Sequence, residues 1–359
     1  MKKTLIAIAA IAAMGAASAQ VTLYGKLDVG VSSSTKDGDV NQGAQFGSSN
    51  YETSRIGVKG GSDIAGGVKG TFQVEGKLGA TDGSFNDFGR VANLGLTGSF
   101  GTVNVGRMWT PYDNAFNDSL EYNGFSAMGS AFYGGAHGDN GMDGSGGSKN
   151  GFQYTTPTFS GVNAVIMYGS NADATSSASA TNYTSLGVNY ANGPLSVNFA
   201  TEKVLTSVHN VAASAYDPAT GAAKVSAAGL GLASSTGSYT NAWILAGSYN
   251  LGVATVFAAA EAATADGFAA GSAKDSGTSV GVSIPVNKST TAALGYATES
   301  TTLSGKSDGK STSMGMQVVY AWNAATAIYA GYRATDTTDL GSTTAVKATK
   351  FATGVRYNF

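Results

Sequence analysis

Two basic side chains, Arg55 and Lys59, stand four residues apart in a run that is otherwise glycine and aliphatic. Alternate side chains of a β-strand point to opposite faces, so both cations would share one face and Ile56 and Val58 the other. Fixed cations on one polar face attract, orient or repel charged solutes through space. The chemistry that these residues predict is therefore electrostatic, from two cations on the polar face of one strand.

Covalent catalysis and tight metal binding have little support. The chain has no cysteine and two histidines, and His137 and His209 lie in polar stretches without the spacing of a catalytic triad or a zinc site. Residues 37–48 begin like a calcium loop, but Gln42 takes the glycine position and Ser48 the terminal acid position. We predict no catalytic residue, no metal site and no cofactor.

The last nine residues predict the strand that organises the fold. Its odd positions carry its apolar side chains, among them Phe351, Val355, Tyr357 and Phe359. An open edge beside such a face invites aggregation, and in lipid every backbone N–H and C=O must pair inside the protein. We therefore expect this strand to close a ring of strands.

Residues 1–19 have the pattern of a secretory signal peptide. Two lysines precede the apolar run Leu5–Ala13, and the small residues Ala17–Ala19 form an A-x-A cleavage site. We expect two parts, a signal peptide over 1–19 and a single barrel domain over 20–359. Export without any cysteine is typical of a bacterial envelope protein that forms no disulfides.

The composition favours membrane strands over membrane helices. Charged residues are 12% of the chain, about half of the ~25% usual in soluble domains. No apolar stretch after residue 19 is long enough for a membrane helix. Glycine, tyrosine and phenylalanine number 51, 17 and 15, as expected when half of each strand faces lipid. The net charge of −2 is too small to indicate nucleic-acid binding.

Short turns set the strand count. Seven segments rich in Gly, Asn, Pro or Ser separate alternating runs, and each would join one hairpin. Seven hairpins plus the first and last runs make sixteen strands, so we predict an all-β, 16-stranded antiparallel transmembrane barrel. A soluble sandwich could contain any one of these strands, but not the whole repeated pattern. The turns are Asp63–Gly67, Ser99–Gly101, Thr156–Gly161, Ala191–Pro194, Asn250–Gly252, Val286–Ser289 and Trp322–Ala325.

Longer polar segments alternate with the short turns and should face out of the cell. Aromatic residues near the hairpin ends suit the two girdles of a membrane barrel. Those aromatics are Trp243, Tyr249, Tyr320, Trp322 and Tyr329. The long segments are 34–50, 79–88, 108–149, 171–182, 203–239, 263–275, 300–310 and 335–347.

Three stretches together resemble the trimeric general diffusion porins of Gram-negative bacteria, most closely the β-proteobacterial branch. They are the terminal strand 351–359, the segment Gly106–Pro111 (Gly-Arg-Met-Trp-Thr-Pro) and the segment Ser54–Gly60. Each motif is short, but their order and spacing match over the whole mature chain. The resemblance implies a channel whose third external loop folds into the lumen as a constriction.

In that family, acids on the third loop face a row of basic residues on the opposite wall. Here the loop would be 108–149, with Lys149 standing where the family usually has arginine. The segment Glu121–Phe125 replaces the family's usual Pro-Glu-Phe-Gly-Gly run. The resemblance implies Arg55, Lys59, Arg90 and Lys149 as the basic wall, and Asp113, Asp118 and Glu121 as the loop acids.

The function implied is passive diffusion of ions and small hydrophilic solutes through a water-filled pore in the outer membrane, without enzymatic activity. The implied partners are two further copies in a homotrimer, outer-membrane lipid and lipopolysaccharide, and the barrel assembly machinery during insertion. Loop 79–88 is either a latch onto a neighbouring subunit or a plain loop. Two other functions stay open: a structural or adhesive surface barrel, and a substrate-specific channel.

Overall fold

Antiparallel β-strands make up most of the molecule, and a computed structural model of the chain describes residues 20–38, 43–116, 148–171, 181–206, 234–268, 271–303, 308–339 and 341–359. Within these ranges one short helix, α1 (Pro111–Phe116), accompanies them. No helix in these ranges is long and apolar enough to cross a membrane. The strands are β1 Gln20–Lys36, β2 Ala44–Ser48, β3 Arg55–Ala65, β4 Val68–Leu78, β5 Phe85–Gly98, β6 Gly101–Trp109, β7 Ser148–Thr155, β8 Val162–Asn171, β9 Thr181–Asn192, β10 Leu195–Thr206, β11 Ser234–Asn250, β12 Thr255–Phe268, β13 Gly271–Pro285, β14 Thr290–Leu303, β15 Gly309–Ala321, β16 Thr326–Thr338 and β17 Ala345–Asn358.

The strands form a closed barrel in which neighbours along the chain pair antiparallel. β17 pairs with β1 from Lys26↔Asn358 to Lys36↔Ala348, and this pairing closes the ring. The barrel has the 16 strands that the sequence predicted. The described residues contain 17 strand segments because the second wall strand is interrupted: β2 pairs with the later part of β1 and β3 with its beginning.

The last residue of the chain takes part in the closure. The Gly25 N–H donates to the Phe359 C=O at 2.9 Å, and the Phe359 N–H donates to the Gly25 C=O at 3.1 Å. The Phe359 ring lies where a Cβ on Gly25 would stand, so a larger residue there would collide with it. Backbone pairing thus continues to the last residue of the chain.

All seven short turns lie where the sequence predicted them, between strands of successive hairpins. The first is built on Gly66 and Gly67, whose φ angles of 62° and 79° are in the left-handed region that favours glycine. The predicted long loops were too long at several places. Predicted loop 263–275 is mostly strand, because β12 runs to Phe268 and β13 starts at Gly271. Polar residues at those strand ends pair in the sheet just as apolar ones do, so polarity alone misplaced the strand ends.

Side chains alternate between an exposed apolar outer face and a polar inner face. On β15, Met314, Met316 and Val318 are exposed, whereas Ser313 and Gln317 are buried on the inner side. This pattern reverses that of a soluble protein and suits a barrel surrounded by lipid.

One girdle assignment was wrong. Tyr329 is almost fully buried, and its ring points inward and stacks on Tyr51 with centroids 5.0 Å apart. Its outward neighbour is Ile328, so position near a hairpin end did not reveal on which face the tyrosine lies. Trp243, Tyr249, Tyr320 and Trp322 are exposed.

Candidate functional site

The inner face of β1 and β3 carries a cluster of basic side chains. The register sets Lys26 opposite Arg55, and Thr22 opposite Lys59. The Lys59 ammonium lies 5.1 Å from the centre of the Tyr24 ring, a cation–π arrangement. Arg55 and Lys59 therefore share the inner face, because both lie on the side of β3 that carries these polar contacts.

A carboxylate that the sequence analysis missed lies within this cluster. The carboxylate of Glu75 on β4 forms an ion pair with the Arg90 guanidinium at 2.7 Å, and its other oxygen lies 3.6 Å from Nε of Arg55. It also accepts a 3.0 Å hydrogen bond from the Tyr24 hydroxyl, which in turn accepts one of 2.7 Å from Gln73. Arg55 and Arg90 thus belong to an ion-paired network on the inner face. The signal in the sequence was the position of Glu75 two residues from Gln73, on the polar side of β4.

Arg90 reaches this network through an irregularity in the sheet. The pairing of β4 with β5 shifts register between Glu75 and Lys77, so extra residues of β5 lie opposite one residue of β4. The Arg90 guanidinium lies 4.9 Å from the centre of the Trp109 ring. Simple alternation could not place Arg90, because a bulge changes which face a residue occupies.

The start of the predicted constriction loop is a short helix inside the barrel. Helix α1 begins at Pro111, directly after Thr110, whose hydroxyl accepts from the Asp113 N–H at 3.2 Å and donates to the Asp113 carboxylate at 2.8 Å. Threonine before a first-turn proline is a common helix start. Asp113 thus helps to form the helix N-terminus and is half-buried.

Helix α1 packs against β9, β10 and β11, on the far side of the barrel from Arg55 and Lys59. Tyr112 is buried and holds it there. Its hydroxyl donates to Glu261 at 2.7 Å, and its N–H donates to the Ser185 hydroxyl at 3.3 Å.

Glu261 belongs to a group of acids that the sequence analysis did not select. Most of the group lies on the inner face of three adjacent strands, since Gly277 is opposite both Glu261 and Glu299. Its position inward on an alanine-rich strand was the available sequence signal. We call the group the acidic wall; its members are Glu202, Glu261, Asp275 and Glu299, on β10, β12, β13 and β14.

Several predicted site residues lie outside the described part of the chain. Asp118 and Glu121 fall in 117–147, and so do not enter the geometry. The backbone of Lys149 pairs with Met108 between β7 and β6, but its side chain is not described. Within the described ranges, no three His, Cys, Asp or Glu side chains are grouped so that they could hold a metal ion.

The arrangement separates charge across the lumen. Cations cluster on β1, β3 and β5, and the acidic wall lies on β10 to β14, half a turn away around a 16-stranded ring. Charged side chains on the wall of a bore act on any ion or dipole that passes close to them.

A family profile described as Gram-negative porin matches residues 4–340. The chain is a Gram-negative porin. Membership of that family places it in the outer membrane. Delftia acidovorans outer membrane porin protein 32 is 36% identical to it over 224 residues, which are 59% of this chain and 62% of that protein. The porin thus spans about three fifths of the length of the curated relatives that it matches.

Solved structures share the fold over nearly all of the porin. The anion-selective porin from Comamonas acidovorans superposes with a TM-score of 0.76 and 25% identity, covering 95% of this chain and 100% of that one. Vibrio cholerae OmpT in its trimer form superposes with a TM-score of 0.70 and 19% identity, covering 95% and 99%. The second likeness shows the fold alone.

Proposed function

We propose that this porin is a passive, water-filled channel for ions and small hydrophilic solutes. Barrels of about 16 strands are wide enough to leave an aqueous lumen. The observation that carries the proposal is the separation of the cations on β3 and β5 from the acidic wall on the opposite side of that lumen. Such charges guide ions of both signs along different walls and disfavour apolar solutes.

The constriction would form where the loop that starts with α1 approaches the basic wall. In this proposal the basic side consists of Arg55, Lys59, Arg90 and Lys149, and the loop acids are Asp113, Asp118 and Glu121. The docking of Tyr112 on Glu261 supports it, because this contact directs the first turn of the loop into the barrel. The acidic wall would add to the negative side of the field.

The mature porin would begin after residue 19 and assemble as a homotrimer in contact with outer-membrane lipid and lipopolysaccharide. The exposed apolar side chains of β17, together with that of Phe359 directly after it, support recognition by the barrel assembly machinery during insertion. Loop 79–88 would contact the neighbouring subunit, since Phe85 and Phe88 are exposed and form an edge-to-face pair. Transport by diffusion requires no covalent step, so the proposal includes no enzymatic activity.

Purified protein in a planar bilayer tests the channel. We expect large ohmic steps that carry both potassium and chloride, in multiples of three per insertion if the trimer is correct. Absence of steps would favour a structural or adhesive barrel. Steps blocked by a single sugar at low concentration would favour a substrate-specific channel. Both outcomes would overturn the proposal.

A further inference from the structure

A short segment, residues 49–54, interrupts the second wall strand; we call it the inward turn. It leaves the sheet at Ser49, whose φ of 65° is in the left-handed region, and ends before Arg55. Opposite it, the Asp28 N–H donates to the Ser54 hydroxyl at 2.9 Å, and the Asp28 C=O accepts from the Ser49 N–H at 2.9 Å. The turn therefore supplies the sheet bonds that β1 would otherwise lack, and it is anchored at both ends.

The carboxylate of Asp28 fixes the middle of the inward turn. One oxygen accepts the backbone N–H groups of Tyr51 and Glu52 at 2.7 and 2.6 Å, and the other accepts the Tyr329 hydroxyl at 2.6 Å. Asp28 has no exposed surface. The Tyr51 ring stacks on Tyr329. The backbone of Glu52 is thus held by another residue's carboxylate, and its own side chain is available for a different role.

That side chain lies between two cations at the seam where β17 meets β1. The Glu52 carboxylate forms an ion pair with Arg356 at 2.8 Å and a second ion pair with Lys26. The Arg356 guanidinium also lies 5.3 Å from the centre of the Tyr51 ring. The three charged side chains keep 14% to 21% of their surface accessible, so the group is part of the lumen lining.

We infer that Glu52 is a selectivity-determining residue, which lowers the preference of the pore for anions by offsetting charge at the seam. This inference rests on the proposed channel function. Without Glu52, Lys26 and Arg356 would present two adjacent positive charges to the lumen. With Glu52, the three side chains together carry a net charge of one positive unit. Because Asp28 anchors the inward turn through its backbone, the Glu52 charge is not needed to build the turn. A carboxylate in this position acts on passing ions through the field that it cancels.

The test is the reversal potential of wild-type and Glu52→Gln channels in a KCl gradient. Glutamine keeps the shape and an acceptor oxygen but removes the charge. We expect Glu52→Gln to raise the chloride-to-potassium permeability ratio by about two- to threefold, the order expected for one unit charge roughly 10 Å from the ion path in water and partly screened by salt. The matched control is Asp336→Asn, which removes one negative charge from the outer face of β16. Asp336 lies on that face because its neighbours Thr335 and Thr337 point inward, where their hydroxyls pair with serines of β15. That control should leave the ratio unchanged.

Conducting Glu52→Gln channels with an unchanged ratio would overturn the inference and leave the channel itself intact. An equal change in the Asp336→Asn control would also overturn it, because the effect would then come from net charge alone. Absence of any conductance in the wild type would instead contradict the proposed channel function. Should the single variant fail to assemble because two cations lose their shared counter-charge, Lys26→Gln is compared with Lys26→Gln/Glu52→Gln. The double variant must then show the higher ratio, and an equal ratio in both overturns the inference.

Discussion

The hydroxyl of Tyr112 donates a 2.7 Å hydrogen bond to the carboxylate of Glu261, and so joins α1 to the opposite wall of the barrel. Both side chains are almost fully buried. The bond holds the helix that follows β6 inside the barrel, against strands on the far side of the interior.

Tyr112→Phe should release this contact. It leaves a buried carboxylate without its donor, and such a loss costs about 1–3 kcal/mol. We expect the free energy of unfolding in urea to fall by about that amount, and single-channel current noise to rise as α1 moves. The control is Tyr154→Phe, which removes a hydroxyl that donates to the Phe100 C=O at an exposed turn. Equal losses in both variants would contradict a special role for Tyr112.

Arg55→Ala combined with Lys59→Ala should shift selectivity toward cations. The pair removes two positive charges from the inner wall, although the Arg55 charge is already offset in part by Glu75. Lys59 is exposed and has no such counter-charge within the described contacts, so we expect Lys59→Ala to produce the larger share of the fall in the chloride-to-potassium permeability ratio. Reversal potentials in a salt gradient measure this. Lys288→Ala, in a short exposed turn, should not change the ratio; an unchanged ratio in the double variant would remove both residues from the pore.

Phe359→Ala should weaken barrel closure. The ring covers Gly25, and replacing it exposes the backbone pairing of the last residue. Losing the contacts of one large apolar side chain lowers the free energy of unfolding by about 1–3 kcal/mol when about half of its surface is covered. Urea unfolding in detergent measures the change. Phe159→Ala, at an exposed turn, is the comparison, and a loss as large as that of Phe359→Ala would argue against closure as the cause.

The carboxylate of Asp82 should titrate at low pH and change the order of its loop. The Ser84 N–H and hydroxyl donate to the Asp82 carboxylate at 2.9 and 2.7 Å, and these bonds lower the pKa of Asp82 below its ordinary 3.8. Since the folded pKa is depressed, the local order is complete above 3.8 and is lost as the pH falls through the lower value. The NMR shift of the Ser84 amide should follow this titration. A midpoint at or above 3.8 would contradict the hydrogen bonds, and Ser84→Ala should raise it.

Much of the fold could be predicted because its signals are local. The period-two alternation of strands such as β15 and the glycines of turns such as Gly66–Gly67 concern neighbouring residues only. Those signals were enough for a 16-stranded closed barrel. Strand ends such as Phe268 were harder, because a strand end made of small and polar residues has the composition of a loop.

The pairing of charges was decided only by the tertiary structure. Alternation placed Arg55 and Lys59 on one face, yet no local pattern showed that Glu75 would pair with Arg90 or that Glu52 would lie between Lys26 and Arg356. The ion pair of Glu52 with Arg356 joins residues from opposite ends of the sequence. Ring closure and a bulge in β5 bring these ion pairs together, because distances across a barrel depend on strand register and not on spacing along the chain. The amino-acid sequence thus determined the two faces of the regularly alternating strands, and the closed ring decided which charges neutralise one another.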